Sequence, residues 1–154
     1  MKQLIIVTLI LLSHFHQALA QEAATPKPIA PYSPAVMTSD GTLYLSGQIP
    51  RVPETGVLVT GDIKKATGQC MKNLGVLLKQ HGLDYGDLVM VNIYMTDMDN
   101  YQAINEMYAT FFKDGQYPAR AAIQVGRLPM NAEVEISGIA KAAVRKGKKS
   151  GDKK

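Results

Sequence analysis

An α+β fold, built as one mixed β-sheet with two helices packed on a single face, is predicted by three observations on the chain. One long stretch carries apolar residues at three- and four-residue steps, a shorter stretch repeats that pattern downstream, and the other segments are short β-prone runs bounded by turn formers. The order reads two or three strands, helix, strand, helix, strand, strand, which a single sheet with both helices on one side satisfies.

Residues 1–20 differ in character from the rest and read as a secretory signal. Lys2 supplies one positive charge, Leu4 to Leu12 is apolar except for Thr8, and Ala18-Leu19-Ala20 gives a small-x-small pattern before Gln21. That apolar run is shorter than the roughly 20 residues a spanning helix needs. A cleaved leader is therefore expected, with a mature N-terminus at Gln21, a periplasmic or secreted location and no stable membrane association. Removal leaves 134 of the 154 residues, one domain's worth and enough to build a core without disulfide staples. Cys70 is the only cysteine, which excludes an internal disulfide and a multi-cysteine metal site within one chain.

The formal charge falls from +4 to +3 with the loss of Lys2, and the remaining excess is concentrated at the C-terminus. Residues 144–154 are basic, contain Gly and Ser, and lack aromatics, so they read as a disordered, solvated tail rather than a nucleic-acid surface. Residues 21–29 carry Pro26 and Pro28, with Pro31 just beyond, and are expected to be an extended lead-in. The folded domain is placed over 30–143.

Within it, Ala35 to Met37 and Thr42 to Ser46 flank the turn formers Ser39-Asp40-Gly41 and predict a β-hairpin. Pro50, Pro53 and Gly56 mark a loop, and Val57 to Thr60 is a further short strand. Asp62 to Gln80 is the clearest helix, with Ile63, Ala66, Cys70, Leu74, Leu77 and Leu78 in one stripe, Thr60 or Asp62 to cap its start, and Gly82 to end it. Leu88 to Met95 is a strongly β-prone run suited to a central strand. Asp99 to Phe112 predicts the second helix, with Tyr101, Ile104, Tyr108 and Phe111 on one side, stopped by Gly115 and Pro118. Ala119 to Val125 and Ala132 to Ala142 complete the sheet around the Leu128-Pro129 turn. The sheet face that the helices leave open is expected to carry Val134, Ile136 or Leu88 and to be buried by another copy of the chain.

Familiar catalytic constellations are absent from the sequence. His81 is the only histidine after residue 20 and sits at the end of the first helix, where a terminal cap is its expected role. No phosphate-binding loop, dinucleotide fingerprint or nucleophile elbow is present. Cys70 falls on an apolar stripe and reads as a buried structural thiol.

What remains is a set of short segments that gain meaning only together. Ala30-Pro-Tyr-Ser-Pro-Ala-Val36, Leu45-Ser-Gly-Gln-Ile-Pro50, Pro53-Glu-Thr-Gly56, Asn73-Leu74, Ile104-Asn-Glu-Met-Tyr108, Pro118-Ala-Arg120, Leu128-Pro129 and Val134-Glu-Ile136 follow one another in the order and spacing of the RidA/YjgF, or reactive intermediate deaminase, family. The chain resembles that family over nearly all of residues 30–142. The resemblance implies a chorismate-mutase-like α+β layer, a homotrimer with a site in each subunit interface, and hydrolysis of 2-imino or enamine acids to keto acids and ammonia. It implies no cofactor, because an imine is already activated toward water.

By the same resemblance Arg120 binds the substrate carboxylate, a task suited to a planar guanidinium that makes two parallel charge-assisted hydrogen bonds. Glu135 positions or activates water, as a partly desolvated carboxylate can. Tyr32 joins these two as a catalytic candidate, while Ser46, Gly47 and Asn105 correspond to pocket-lining, substrate-binding positions. Ala122 stands where active relatives often carry cysteine, serine or threonine, and by alternation shares a strand face with Arg120, so its backbone amide is left to serve the substrate. A leader peptide also separates the protein from cytosolic sources of aminoacrylate. The alternative reading is a non-catalytic, ligand-binding or chaperone-like trimer of the same fold. The enzymatic reading rests on Arg120 and Glu135, contributed by neighbouring strands, converging on one pocket walled partly by another subunit; retention of the two residues argues against the alternative, and Ala122 and export argue for it.

Overall fold

A computed structural model describes residues 28–141. The leader over 1–20, all but the last two residues of the lead-in over 21–29, and the tail over 144–154 lie outside the described residues. In chain order the elements are β1 (Ala35–Met37), β2 (Thr42–Gln48), α1 (Ile63–Gln80), β3 (Leu88–Met95), α2 (Tyr101–Ala109), β4 (Ala119–Gln124) and β5 (Val134–Lys141), with single 3-10 turns at Tyr85–Asp87, Met98–Asn100 and Pro129–Asn131. They form one five-stranded sheet in the order β1-β2-β5-β3-β4. Only β3 and β4 run parallel, joined by α2 as the crossover that a parallel pair requires.

The predicted helix stripe is the core. Ala66, Cys70, Leu74, Leu77 and Leu78 are buried, and they pack on Leu43, Leu45, Leu88, Val91, Ile93, Met95, Val134, Ile136 and Ala140 from three strands, β2, β3 and β5. Asp62 is the N-cap, its carboxylate accepting from the Lys65 amide at 3.0 Å. At the other end Gly82, at φ +72°, lets its own amide reach Lys79 O and the Leu83 amide reach Leu78 O, both at 3.0 Å, in a Schellman closure that a Cβ would strain. His81 is the C-cap, and its Nδ1 lies 2.8 Å from Leu77 O, in keeping with a terminal role.

Two buried contacts tie the loops to α1. Asn73 donates to Ile49 O at 3.2 Å and Arg51 O at 2.9 Å, so one carboxamide pins the chain that leaves β2. The Tyr85 hydroxyl lies directly over Gly75, where a side chain would collide with it, and donates to Met71 O at 2.8 Å. Burial pushes that phenol's pKa up to about 12.

Three expectations are corrected. Val57 to Thr60 is not a strand: Leu58 forms one isolated bridge with Arg51, because the chain between them folds into a tight loop closed by Gly56 N to Val52 O and Val52 N to Val57 O, both 2.8 Å. The second helix is shorter than Asp99 to Phe112, since Asp97 caps a separate 3-10 turn and the regular helix starts only at Tyr101. Leu88, Val134 and Ile136 do not face away from the helices. They are 5 %, 0 % and 0 % exposed beneath them, and the face left open carries Tyr44, Met90, Asn92, Tyr94, Glu135, Ser137 and Ile139 instead, paired across β2, β5 and β3. Strand parity put Val134 and Ile136 on a common face, the irregularity between Leu88 and Met90 brings Leu88 to the side of Val91, and only docking of α1 decided which face was inside.

Leu74, fully buried where α1 meets the sheet, sets the first test: Leu74→Ala is expected to cost about 2–5 kcal/mol of unfolding free energy, measured by urea denaturation.

Candidate active site

The arginine and the carboxylate singled out in the sequence occupy opposite sides of the sheet. Arg120 in β4 pairs with Val91 of β3, whose side chain is fully buried under the helices, so Arg120 projects on the helix side at the sheet's edge. Glu135 in β5 pairs with Tyr94 and points to the open side, its neighbours Val134 and Ile136 being in the core. Their strands are not neighbours, because β3 lies between them. The expected convergence of the two groups in one pocket is therefore not met within a single chain, and the period-two alternation of strands is the reason.

Each group has its own cavity. The first is an open cleft lined by Asn105, Tyr108, Ala109, Tyr117, Pro118 and Arg120. Here the Arg120 guanidinium carbon lies 5.1 Å over the Tyr108 ring and 5.9 Å over the Tyr101 ring, and Nη2 donates to the Tyr101 hydroxyl at 3.4 Å. No carboxylate among the described residues pairs with it. Asn105 Oδ1 and the Tyr108 hydroxyl are buried there without a hydrogen-bond partner, and burial pushes the Tyr108 pKa up to about 12. Ala122 shares the face of Arg120, as alternation predicts, but pairs with Ile93 and packs against the core rather than lining this cavity.

The second, also open to solvent, is lined by Ile29, Ala30, Tyr32, Ser46, Gly47, Ile49, Pro129 and Glu135. Three predicted residues, Tyr32, Ser46 and Gly47, thus join Glu135. Gly47 lets the Glu135 carboxylate sit against the backbone of β2, since a Cβ there would overlap the carboxylate and displace it. The Ser46 hydroxyl donates to Ser33 O at 2.7 Å and its amide to Pro34 O at 3.0 Å, so Ser46 holds the lead-in that carries Tyr32 against β2. Tyr32 itself is 42 % exposed. Glu135 is half-buried, has no hydrogen-bond or ion-pair partner among the described residues, and its pKa is raised by that burial. Neighbouring Glu133, by contrast, accepts from the Gly61 amide at 3.1 Å.

Cys70 is fully buried and burial raises its thiol pKa well above the ordinary value, as befits an inert packing residue. Among the described residues no group of histidine, cysteine and carboxylate side chains is arranged to hold a metal, and no helix is long and apolar enough to cross a membrane. Sequence reasoning missed Tyr101 and Tyr108 as partners of Arg120. Their spacing with Asn105, four then three residues apart, puts all three along one side of α2, and that signal was readable had the edge strand's position been known.

Fold and site define a small α+β protein with an unneutralised edge arginine on one side of its sheet and an unpaired carboxylate on the other. The family described as endoribonuclease L-PSP matches residues 22–142. Over 115 residues the chain is 44 % identical to 2-iminobutanoate/2-iminopropanoate deaminase of Mus musculus, covering 75 % of this chain and 84 % of that one. It is 42 % identical over 115 residues to a RutC family protein of Pyrococcus horikoshii, covering 75 % and 90 %. Among solved structures, the YjgF gene product of E. coli superposes with a TM-score of 0.72 at 31 % identity, covering 81 % of this chain and 98 % of that one. E. coli TdcF with bound serine gives 0.73 at 32 % identity, covering 80 % and 97 %. The chain belongs to the RidA/YjgF/L-PSP family.

The Gly47 contact generates a test. In a 13C-NMR titration Glu135 is expected to titrate above the ordinary glutamate value in the wild type and to fall back toward it in Gly47→Ala, where the added methyl drives the carboxylate out toward water. An unchanged titration in the variant would mean that Gly47 does not set the carboxylate's burial.

Proposed function

We propose that this protein is a hydrolytic deaminase of 2-imino acids, and of the enamines that tautomerise to them, working as a homotrimer whose sites each draw on two copies. One copy supplies Arg120 with Asn105, and its neighbour supplies Glu135 with Tyr32, Ser46 and Gly47. The observation that carries this reading is the placement of the two charged groups on opposite faces of one sheet, each lacking an opposite charge. A single chain cannot bring them to one substrate, whereas a second copy laid against the open face can. The deaminase relatives, and the serine bound to TdcF, an α-amino acid with the same carboxylate end, support the substrate class.

The chemistry follows from what each group can do. Arg120 takes the carboxylate in a two-pronged grip and so orients the imine carbon beside it. Glu135, as the carboxylate, removes a proton from water while the water oxygen bonds to that carbon and the C=N electron pair moves to nitrogen, which is protonated in turn. The resulting amino alcohol then collapses: its hydroxyl proton passes by way of Glu135 to the amino nitrogen, the hydroxyl oxygen forms the keto C=O, the C–N bond breaks and ammonia leaves. A raised pKa suits a group that must both take and return a proton near neutrality. The base form is needed first, so activity declines as pH falls through the raised Glu135 pKa.

The test uses 2-iminopropionate generated in situ from alanine by an amino-acid oxidase. Wild-type protein is expected to accelerate its decay, and Arg120→Ala and Glu135→Gln are each expected to lose most activity while folded. Co-expressed in equal amounts, the two inactive variants are expected to recover roughly a quarter of wild-type activity, because about one site in four then pairs an intact arginine with an intact glutamate from different copies. Absence of acceleration by the wild type would instead favour a non-catalytic, ligand-binding trimer, and absence of recovery would remove the shared-site arrangement.

We also propose export. Lys2, the apolar run from Leu4 to Leu12 and Ala18-Leu19-Ala20 support it. Mass spectrometry of the protein recovered from outside the cytoplasm is expected to give a chain beginning at Gln21; a full-length cytoplasmic chain would overturn it.

A further inference from the structure

A carboxylate anchor in a half-buried site faces two opposed demands. It must be held in one orientation, yet whatever holds it must not neutralise its charge. An acidic neighbour satisfies the first demand and defeats the second, because a paired guanidinium has no net field left for a ligand. Arg120 has no such neighbour among the described residues. Its contacts are the ring faces of Tyr108 at 5.1 Å and Tyr101 at 5.9 Å, with one hydrogen bond to the Tyr101 hydroxyl.

From this arrangement we propose that Tyr101 and Tyr108 are positioning residues: an aromatic cradle that orients Arg120 by cation–π contact while leaving its full charge for the substrate carboxylate. A ring face attracts a cation through its quadrupole and carries no net charge to cancel it. The cradle is itself braced. Tyr108 packs on Phe112 at 4.7 Å between centroids, and Phe112 touches Tyr117 at 5.6 Å and Tyr85 at 6.3 Å. Tyr85 in turn is bonded to Met71 O in α1. The rigidity of the anchor thus descends from the core helix through a continuous run of rings, without a carboxylate partner among the described residues. Tyr108 works here through its ring and not its hydroxyl, since that hydroxyl is buried and unpaired, an arrangement that costs stability.

The proposal rests on the reading of Arg120 as the carboxylate anchor, and its test separates the two. In the full mature chain without ligand, 15N relaxation at Arg120 Nε is expected to report a restricted side chain in the wild type, in Tyr108→Phe and in Tyr101→Phe, and a mobile one in Tyr108→Leu and Tyr101→Ala. Tyr101 is 41 % exposed, so Tyr101→Ala remains informative should the buried Tyr108→Leu fail to fold. Pyruvate, an unreactive carboxylate of the same shape, is then titrated by calorimetry. Its Kd is expected to weaken roughly 3- to 30-fold in the ring-deleting variants and to be retained in the phenylalanine ones, with the loss appearing in KM more than in kcat. Tyr108→Phe is also expected to be more stable than the wild type. Equal Arg120 Nε mobility in Tyr101→Ala and the wild type would overturn the cradle whatever the protein does to imines. A restricted Arg120 that binds no pyruvate would instead sink the carboxylate assignment and leave the cradle standing.

Discussion

Burial of the α1 stripe against one side of the sheet is the constraint on which everything else depends. Once Cys70, Leu74, Leu77 and Leu78 sit on Leu43, Val91, Ile93, Val134 and Ile136, period-two alternation assigns every other strand residue to one of two environments. Arg120, in register with Val91, is forced to the helix side, and Glu135, between Val134 and Ile136, is forced to the open side. Neither orientation is adjustable without unpacking the core. Each face of the sheet thus carries one of the two charged groups in its own cavity, and the proposed shared site starts from that separation.

The two charged groups are then left without opposite charges by different means. Glu135 is isolated: the missing Cβ of Gly47 lets its carboxylate settle against the backbone of β2, where partial burial favours the protonated form and no donor compensates. Such a group weakens the fold as pH rises, because the folded state holds its proton over a range in which the unfolded chain has released it. Arg120 is steadied by aromatic faces instead of a carboxylate. Both are local costs that a well-packed core of this size can carry.

Several family-signature residues turn out to serve architecture. Asn73 is buried and spends its carboxamide on two loop carbonyls. Ser46 ties the lead-in to β2, which matters to the site only because the lead-in carries Tyr32. Gly56, at φ +73°, closes the loop around Arg51, whose Nε donates to Gly56 O at 3.1 Å. Motif membership alone did not separate these roles, since a residue that shapes a pocket and one that lines it leave the same mark in a sequence.

The sequence by itself determined the order of the two helices and the five strands around them, the helix stop at Gly82, the buried stripe of α1 and the sharing of a face by Arg120 and Ala122, because each is set by local periodicity or backbone conformation; it left the N-cap of α1 between Thr60 and Asp62. It named Tyr32, Ser46, Gly47 and Glu135, which the structure gathers in one cavity, and Asn105 and Arg120, which it gathers in another. Only tertiary structure decided that Val57 to Thr60 forms no strand, that Leu88, Val134 and Ile136 are inside, that β3 separates β4 from β5, and that Tyr101 and Tyr108 hold Arg120. Those facts depend on which surfaces meet when helix and sheet dock, and contact between residues distant in sequence leaves no periodic trace along the chain.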